Sequence, residues 1–256
     1  MSELESRITS VSTFKNSLSL ITLEVNIPSA GEFYLSDVPK PVHGTFWLES
    51  NVDITCFITS REVPRTRQRN LELVPTLGAL LREHDFAPGD IDVLYVSLGP
   101  GSFTGLRMAI ATAQMLALAQ PSIKLVGVPT LDVLAHQHKG AAEHVAVLLN
   151  IKRGTSYCAV YREGVCLIEP DIRTTDELLD LAPRPLAIVA EVNPGLPEDE
   201  AITWLDPITT APDPAATWHV GHALARAGRF ADPPELLPLY IREPEAVTLW
   251  EQQGKA

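Results

Sequence analysis

The stretch that most limits what this chain can fold into is residues 91–119, IDVLYVSLGPGSFTGLRMAIATAQMLALA. IDVLYVSLG is an almost unbroken apolar run, the pattern of a strand covered on both faces. Gly99, Pro100 and Gly101 end it. Glycine permits positive φ or close backbone approach, and proline fixes one dihedral. A helix is predicted behind this turn, capped by Ser102 or Thr104. On it Gly105, Ala109, Ala113 and Ala117 recur every four residues, one stripe of small side chains. Met108, Ile110, Met115, Leu116 and Leu118 clothe the other faces. A second strand, KLVGVP (124–129), and a second helix, TLDVLAHQH, capped by Thr130, follow. Strand, helix, strand, helix at this spacing is a βαβ pattern with parallel strands.

Upstream, NLELVPTLGALLREHD carries apolar residues at 73, 74, 77, 80 and 81, one face of a helix, with Asn70 as its cap and Pro75 just past the first turn. GTFWLES and DITCFIT read as two short strands joined at Ser50-Asn51. Residues 1–43 are serine-rich. Only SLSLITLEVNI reads as a strand there, so the segment is expected to be a poorly defined, dispensable extension. Downstream come a hairpin (HVAVLLNIKRG with TSYCAVYREG), a short helix TTDELLDLA, a strand PLAIVAE and a proline-rich stretch at 193–214. A last helix, TWHVGHALARAG, and an extended tail, ELLPLYIREPEA, close the chain. The division expected is 1–43 extension, 44–139 N-terminal lobe, 140–230 C-terminal lobe and 231–256 tail, in a mixed α/β fold.

Composition excludes several function classes. The formal net charge is −12, whereas a chain that grips nucleic acid alone usually carries a basic face. The one basic cluster, Arg61, Arg65, Arg67 and Arg69, reads as a solvated loop or as a contact to an acidic partner or RNA backbone. Cys56, Cys158 and Cys166 have no CxxC spacing and read as free, buried thiols. No run of about 18 uncharged apolar residues occurs, and the first residues lack a signal-peptide core, so a cytoplasmic chain is expected.

The glycine turn fits none of the familiar chemical loops. A nucleophile elbow needs G-x-S-x-G, and Ser102 does not sit between glycines two apart. A phosphate-binding loop needs lysine after its last glycine, but Leu106 and Arg107 follow Gly105. The dinucleotide fingerprint fails because its third glycine comes one residue late. Two readings stay open: free amides at the helix start hold an anion beside Gly99, Gly101, Ser102 and Thr104, or the glycines make the turn and the hydroxyls satisfy the helix end. The small-residue stripe is equally two-sided. It either seats the helix on its own sheet or lets a partner backbone approach closely. His136, His138 and His144 form no HxxxH pair.

GPGSFTGLRMAIATAQMLA followed by LVGVPTLDVLA resembles the TsaB (YeaZ) family. LVPTLGALL upstream, KRGTSYCAVY in the middle and PLYIREPEA near the end stand in that family's order, so the likeness covers residues 44–246. The resemblance implies the two-lobed actin-like (ASKHA) fold, α/β with mixed sheets flanked by helices. It also implies a role in forming threonylcarbamoyladenosine beside the anticodon of tRNAs. In that system such a protein is a non-catalytic scaffold, paired with a TsaD-like paralogue and joined by a TsaE-like ATPase, or homodimeric. It meets tRNA only through the complex and needs no cofactor or metal. The docking surface implied is Gly105, Met108, Ala109, Thr112, Ala113, Met115, Leu116 and Ala117. TsaD holds a metal with two histidines four apart, and the matching positions are Thr130 and Leu134, which ligate none. The family's Asp-Thr-Ser is most nearly matched by Glu49 and Ser50 of WLESN, with ITLEVN as a rival that leaves extra residues before the Gly99 turn; its His-Ser-Glu is matched by Arg69-Asn70-Leu71, and a later acidic residue by Asn150. Each departure weakens a nucleotide site. The rival expectation is a stand-alone ATP-using transferase or kinase of the same fold, or a peptidase-like protein under the older glycoprotease label.

Overall fold

The computed structural model describes residues 5–13, 19–27, 57–62, 73–83, 86–101, 103–152, 154–205 and 212–241. They build two five-stranded mixed sheets. In the first, ordered β3-β1-β2-β4-β5, β4 (Ile91–Gly99) runs parallel to β5 (Lys124–Pro129) and antiparallel to β2 (Ser19–Ile27). Strand β1 (Glu5–Thr13) pairs antiparallel with β2 and parallel with β3 (Phe57–Glu62). The second sheet, ordered β10-β9-β6-β7-β8, comprises β6 (His144–Lys152), β7 (Thr155–Arg162), β8 (Val165–Thr174), β9 (Leu186–Ala190) and β10 (Ile202–Leu205).

Alternation along the strands sets the layers. On β4, Leu94 and Val96 face α1 (Leu73–Glu83) and α2 (Phe103–Ala119). Tyr95 faces the opposite way, into a cluster with Val126, Val128 and Val133 under α5 (Pro214–Arg226). Covered on both faces, β4 can be apolar almost throughout, with Asp92 exposed near its start and Ser97 buried near its end. The second sheet repeats the scheme. Val145, Val147, Ala159 and Tyr161 face α3 (Thr130–Gln137), while Ala146, Leu148, Cys158 and Val160 face α4 (Thr175–Leu181).

Helix α3 also packs on β4 and β5, so it lies between the two sheets and joins them. Its Asp132 accepts a 2.7 Å hydrogen bond from the Tyr161 hydroxyl of β7. Burial holds the Asp132 carboxyl above the usual range, against the lowering effect of that bond. Burial and the neighbouring Asp132 push the Tyr161 phenol up.

Three expectations are corrected here. Residues 1–43 are not a bare extension, because β1 and β2 fall within them and β2 lies between β1 and β4. Three strands were missed: β1, half polar in sequence, β8, interrupted by Pro170 and three charged residues, and β10, only four residues long beside a proline-rich stretch. Thr130 is the first residue of α3, and Pro129 is its cap. The expected strand GTFWLES and the cap Asn70 lie outside the described residues.

Two outcomes follow. A chain starting at Gly44 loses two of five strands in the first sheet, and is expected to lose cooperative unfolding and soluble yield. Gly221 on α5 faces the ring of buried Tyr95, and a Cβ there would stand 2.9 Å from Tyr95 Cγ. Gly221→Ala is therefore expected to cost about 1–3 kcal/mol, read as a lower denaturation midpoint.

Candidate functional site

The βαβ turn is built from glycine for a specific reason. Gly99 has φ +98°, and a Cβ on it would lie 2.6 Å from Leu106 Cδ1. Any other residue would meet both a strained backbone and the first buried leucine of α2. This accounts for Gly99 by turn and packing alone. Gly101 and Thr104 are exposed at the start of α2. Ser102, Glu49 and Ser50, the remaining candidates for an anion site, lie outside the described residues.

Helix α2 lies with its small-residue stripe on its own sheet. Gly105, Ala109, Ala113 and Ala117 are all buried, the last three in the cluster with Leu94, Val96, Leu80 and Leu125. The expectation that these four form the seam for a partner is thereby revised: they are spent on β4 and β2. Of the other expected interface residues, Met115 is 64% exposed, and Met108, Thr112 and Leu116 are half-buried. The outward face continues through Ala111 to Leu118, 62% exposed.

One flank of α2 is closed by a strap, residues 228–241. Ala231 pairs with Leu125 at the edge of β5. The Gln114 side chain donates to the carbonyls of Pro233 and Leu236, at 2.6 and 3.1 Å. The Leu239 amide donates to Leu98 O at 2.8 Å, just before the glycine turn. The strap ends in a stack: Arg107 Nε donates to Tyr240 Oη at 2.7 Å, and its guanidinium lies 3.9 Å from the centroid of the Phe103 ring. Such a cation over an aromatic face is worth roughly 0.5–1 kcal/mol at an exposed site. Phe103, Leu237, Leu239 and Tyr240 stay exposed beside it. Sequence reasoning did not assign these four to the face. PLYIREPEA was the available signal, with apolar residues in a segment too short to bury them by itself.

The polar groups near the strand ends are occupied or quiet. Ser97 of β4 and Thr130 of α3 are buried and share a 3.1 Å hydrogen bond. Leu134, the other position matched to a metal histidine, is fully buried among apolar residues. Among the described residues no three His, Cys, Asp or Glu side chains converge as a metal site. Burial pushes the thiols of Cys158 and Cys166 up, the latter to about 11, so neither is a ready nucleophile at neutral pH. His144 is buried, its ring bonded to Pro185 O at 3.2 Å. His136 is half-buried and stacks on His219 of α5 with centroids 5.4 Å apart. Burial, with Lys139 and His219 adding to it, lowers its pKa to about 4.

The model of the family described as "TsaD: tRNA N6-adenosine threonylcarbamoyltransferase" matches residues 59–200. An uncharacterized protein of Mycobacterium tuberculosis is 32% identical over 179 residues, 69% of this chain and 76% of the relative. The tRNA threonylcarbamoyladenosine biosynthesis protein TsaB of Escherichia coli is 33% identical over 98 residues, 38% of this chain and 42% of that protein. That of Bacillus subtilis is 28% identical over 103 residues, 40% of this chain and 44% of that protein. Among solved structures, an uncharacterized Pseudomonas aeruginosa protein "with similarity to peptidase YEAZ" aligns at TM-score 0.60 and 18% identity, over 93% of this chain and all of that one. YeaZ from Pseudomonas aeruginosa aligns at 0.58 and 16%, over 92% and 99%. The fold is thus the actin-like one, with two mixed sheets flanked by helices.

The geometry predicts two effects. Ala113→Leu should destabilise the single chain by about 1–3 kcal/mol through overpacking against β4, seen as a lower melting temperature. For His136, the unfolded chain takes up a proton near pH 6.5 and the folded chain only near 4. Its contribution to stability is therefore complete above about 6.5 and declines as pH falls toward 4. His136→Gln should flatten stability against pH in that window, measured by denaturant midpoints.

Proposed function

We propose, from the premise that this chain belongs to the TsaB (YeaZ) family, within the wider group matched by the TsaD family model, that it takes part in forming threonylcarbamoyladenosine on tRNA. Its part is that of a non-catalytic scaffold. The observation that supports this best is the outward face of α2. Met115 and Leu118 are exposed on it, and Phe103, Leu237, Leu239 and Tyr240 are exposed at the start of the helix and on the strap. Exposed apolar side chains that gather into a large patch mark a site for a protein partner. The partner is a TsaD-like paralogue, with a TsaE-like ATPase joining the assembly. A second copy of this chain would use the same face, since one self-complementary patch serves a symmetric dimer.

Chemistry at the strand ends favours the same role. Thr130 and Leu134 offer no metal ligand, and the hydroxyl of Thr130 is bonded to Ser97. Recognition of tRNA belongs to the complex, because the chain's charge of −12 opposes phosphate binding by itself. No described helix is long and apolar enough to cross a membrane, and the chain works in the cytoplasm alongside tRNA. The likeness to a family model described as a transferase keeps an enzyme reading in view, in which Gly99, Gly101 and Thr104 would hold a nucleotide.

Sedimentation velocity with the TsaD-like paralogue of the same organism tests the reading. Native chain should form a heteromeric species. Met115→Glu and Leu118→Glu should each weaken it tenfold or more, above about 1.4 kcal/mol. Their unfolding midpoints should stay at the native value, because both side chains already face solvent. Unchanged pairing in both variants would move the interface elsewhere. Purified chain alone should hydrolyse no ATP and transfer no threonylcarbamoyl group, and turnover above background would replace the scaffold with the enzyme reading.

A further inference from the structure

A second helix surface lies on the other side of the first sheet from α2. Between Asp213 and Asp232 the sequence holds no carboxylate side chain, in a chain that has 32 of them, and this stretch forms α5 and the turn behind it. Asp213 itself caps the helix and accepts from the Ala216 amide at 3.2 Å. The stretch carries two cations, Arg226 and Arg229, both exposed. Four rings stand in series before them. His222 stacks on Trp218 with centroids 4.9 Å apart, Trp218 meets His219 at 4.8 Å, and His219 stacks on His136 of α3 at 5.4 Å. All four are half-buried. Lys139 adds a cation beside His136. Arg226 follows His222 by four residues, so the two stand on one face of the helix. Summed over the chain, the charge of −12 opposes phosphates, but along this helix the sign is reversed. Rings in series with cations alongside form a surface on which unpaired bases stack while their phosphates are neutralised. An acidic peptide would use the cations alone.

We propose that this face of α5 binds a single-stranded segment of RNA. Trp218, His219 and His222 are its stacking rings, His136 extends them onto α3, and Arg226 and Arg229 meet the phosphates. From Trp218 to Arg226 the face spans about 12 Å at 1.5 Å per residue, so it takes a short stretch of strand. Because α2 packs on the opposite side of the sheet, a strand on α5 and a protein on α2 can be held at the same time. That the strand belongs to a tRNA rests on the proposed role in tRNA modification. The contact with RNA does not, because it concerns this chain alone.

A short fluorescein-labelled oligouridylate, which forms no secondary structure, tests it by anisotropy with the full chain at low salt. Native chain should bind it saturably, and ultraviolet crosslinking should place uridine adducts within residues 214–230 or at the end of α3, read by mass spectrometry. His222→Ala should weaken binding about fivefold or more, the low end for one stacked base. His222→Phe keeps a ring and should keep the affinity. Arg226→Gln with Arg229→Gln should flatten the slope of log affinity against log salt by about 1.4, at about 0.7 per phosphate contact on a single strand. Both arginines are exposed, so this variant keeps the test open should His222→Ala fold poorly. Arg82→Gln, an exposed arginine of α1 across the sheet, should change neither affinity nor slope. Absence of saturable binding would overturn the proposal, and so would crosslinks confined to residues outside α3 and α5. RNA displaced by poly-glutamate, with affinity unchanged in His222→Ala, would assign the face to an acidic protein instead. Equal losses in Arg82→Gln and in the α5 arginine pair would mean diffuse attraction and no site. None of these readouts involves the TsaD-like paralogue, so failure here and failure of the pairing test are separate results.

Discussion

The close seat of α2 on the first sheet is the constraint from which the rest follows. Gly105, Ala109, Ala113 and Ala117 bring the helix backbone down onto β4 and β2. With this stripe turned inward, the side chains at 108, 115 and 118 lie sideways and out. The glycine turn completes the arrangement. Gly99 takes a positive φ and leaves room for Leu106, which lets the chain reverse from strand to helix without a gap. On the other face of the sheet Gly221 does for α5 what the stripe does for α2, seating it against Tyr95. Both contacts depend on missing side-chain atoms, so they tolerate enlargement poorly.

Much of this was legible in the sequence wherever local pattern and tertiary role agree. β4, α2, β5 and α3 announce themselves because a fully buried strand is apolar throughout and a glycine turn has few alternatives. β1 was not legible: ESRITSVST is half polar, and its strand character comes from pairing with β2 and β3. β8 was hidden by Pro170 and by charged residues that an edge strand carries on its open side. The stripe on α2 was visible, but periodicity names a face without naming its neighbour. The fold decides that question by placing β4 under the stripe. The strap was invisible as a site element because its role depends on Arg107 and Gln114, more than a hundred residues earlier.

The described side chains near the ends of β4 and β5 are better suited to holding shape than to chemistry. Ser97 and Thr130 satisfy each other, the two described thiols are held protonated, and His136 stays neutral through the physiological range. The surface on α2 and its strap is of the opposite character: apolar, exposed and anchored by the Arg107 cation over the Phe103 ring and bonded to Tyr240. This division is the ground on which the proposed docking role rests.

Hydrogen–deuterium exchange of the chain with and without its TsaD-like paralogue tests that claim most directly. Docking through α2 predicts that complex formation slows exchange in residues 103–119 and in the strap at 228–241, and leaves β6 to β10 unchanged. Protection confined to the second sheet, or no protection at any paralogue concentration, would contradict it.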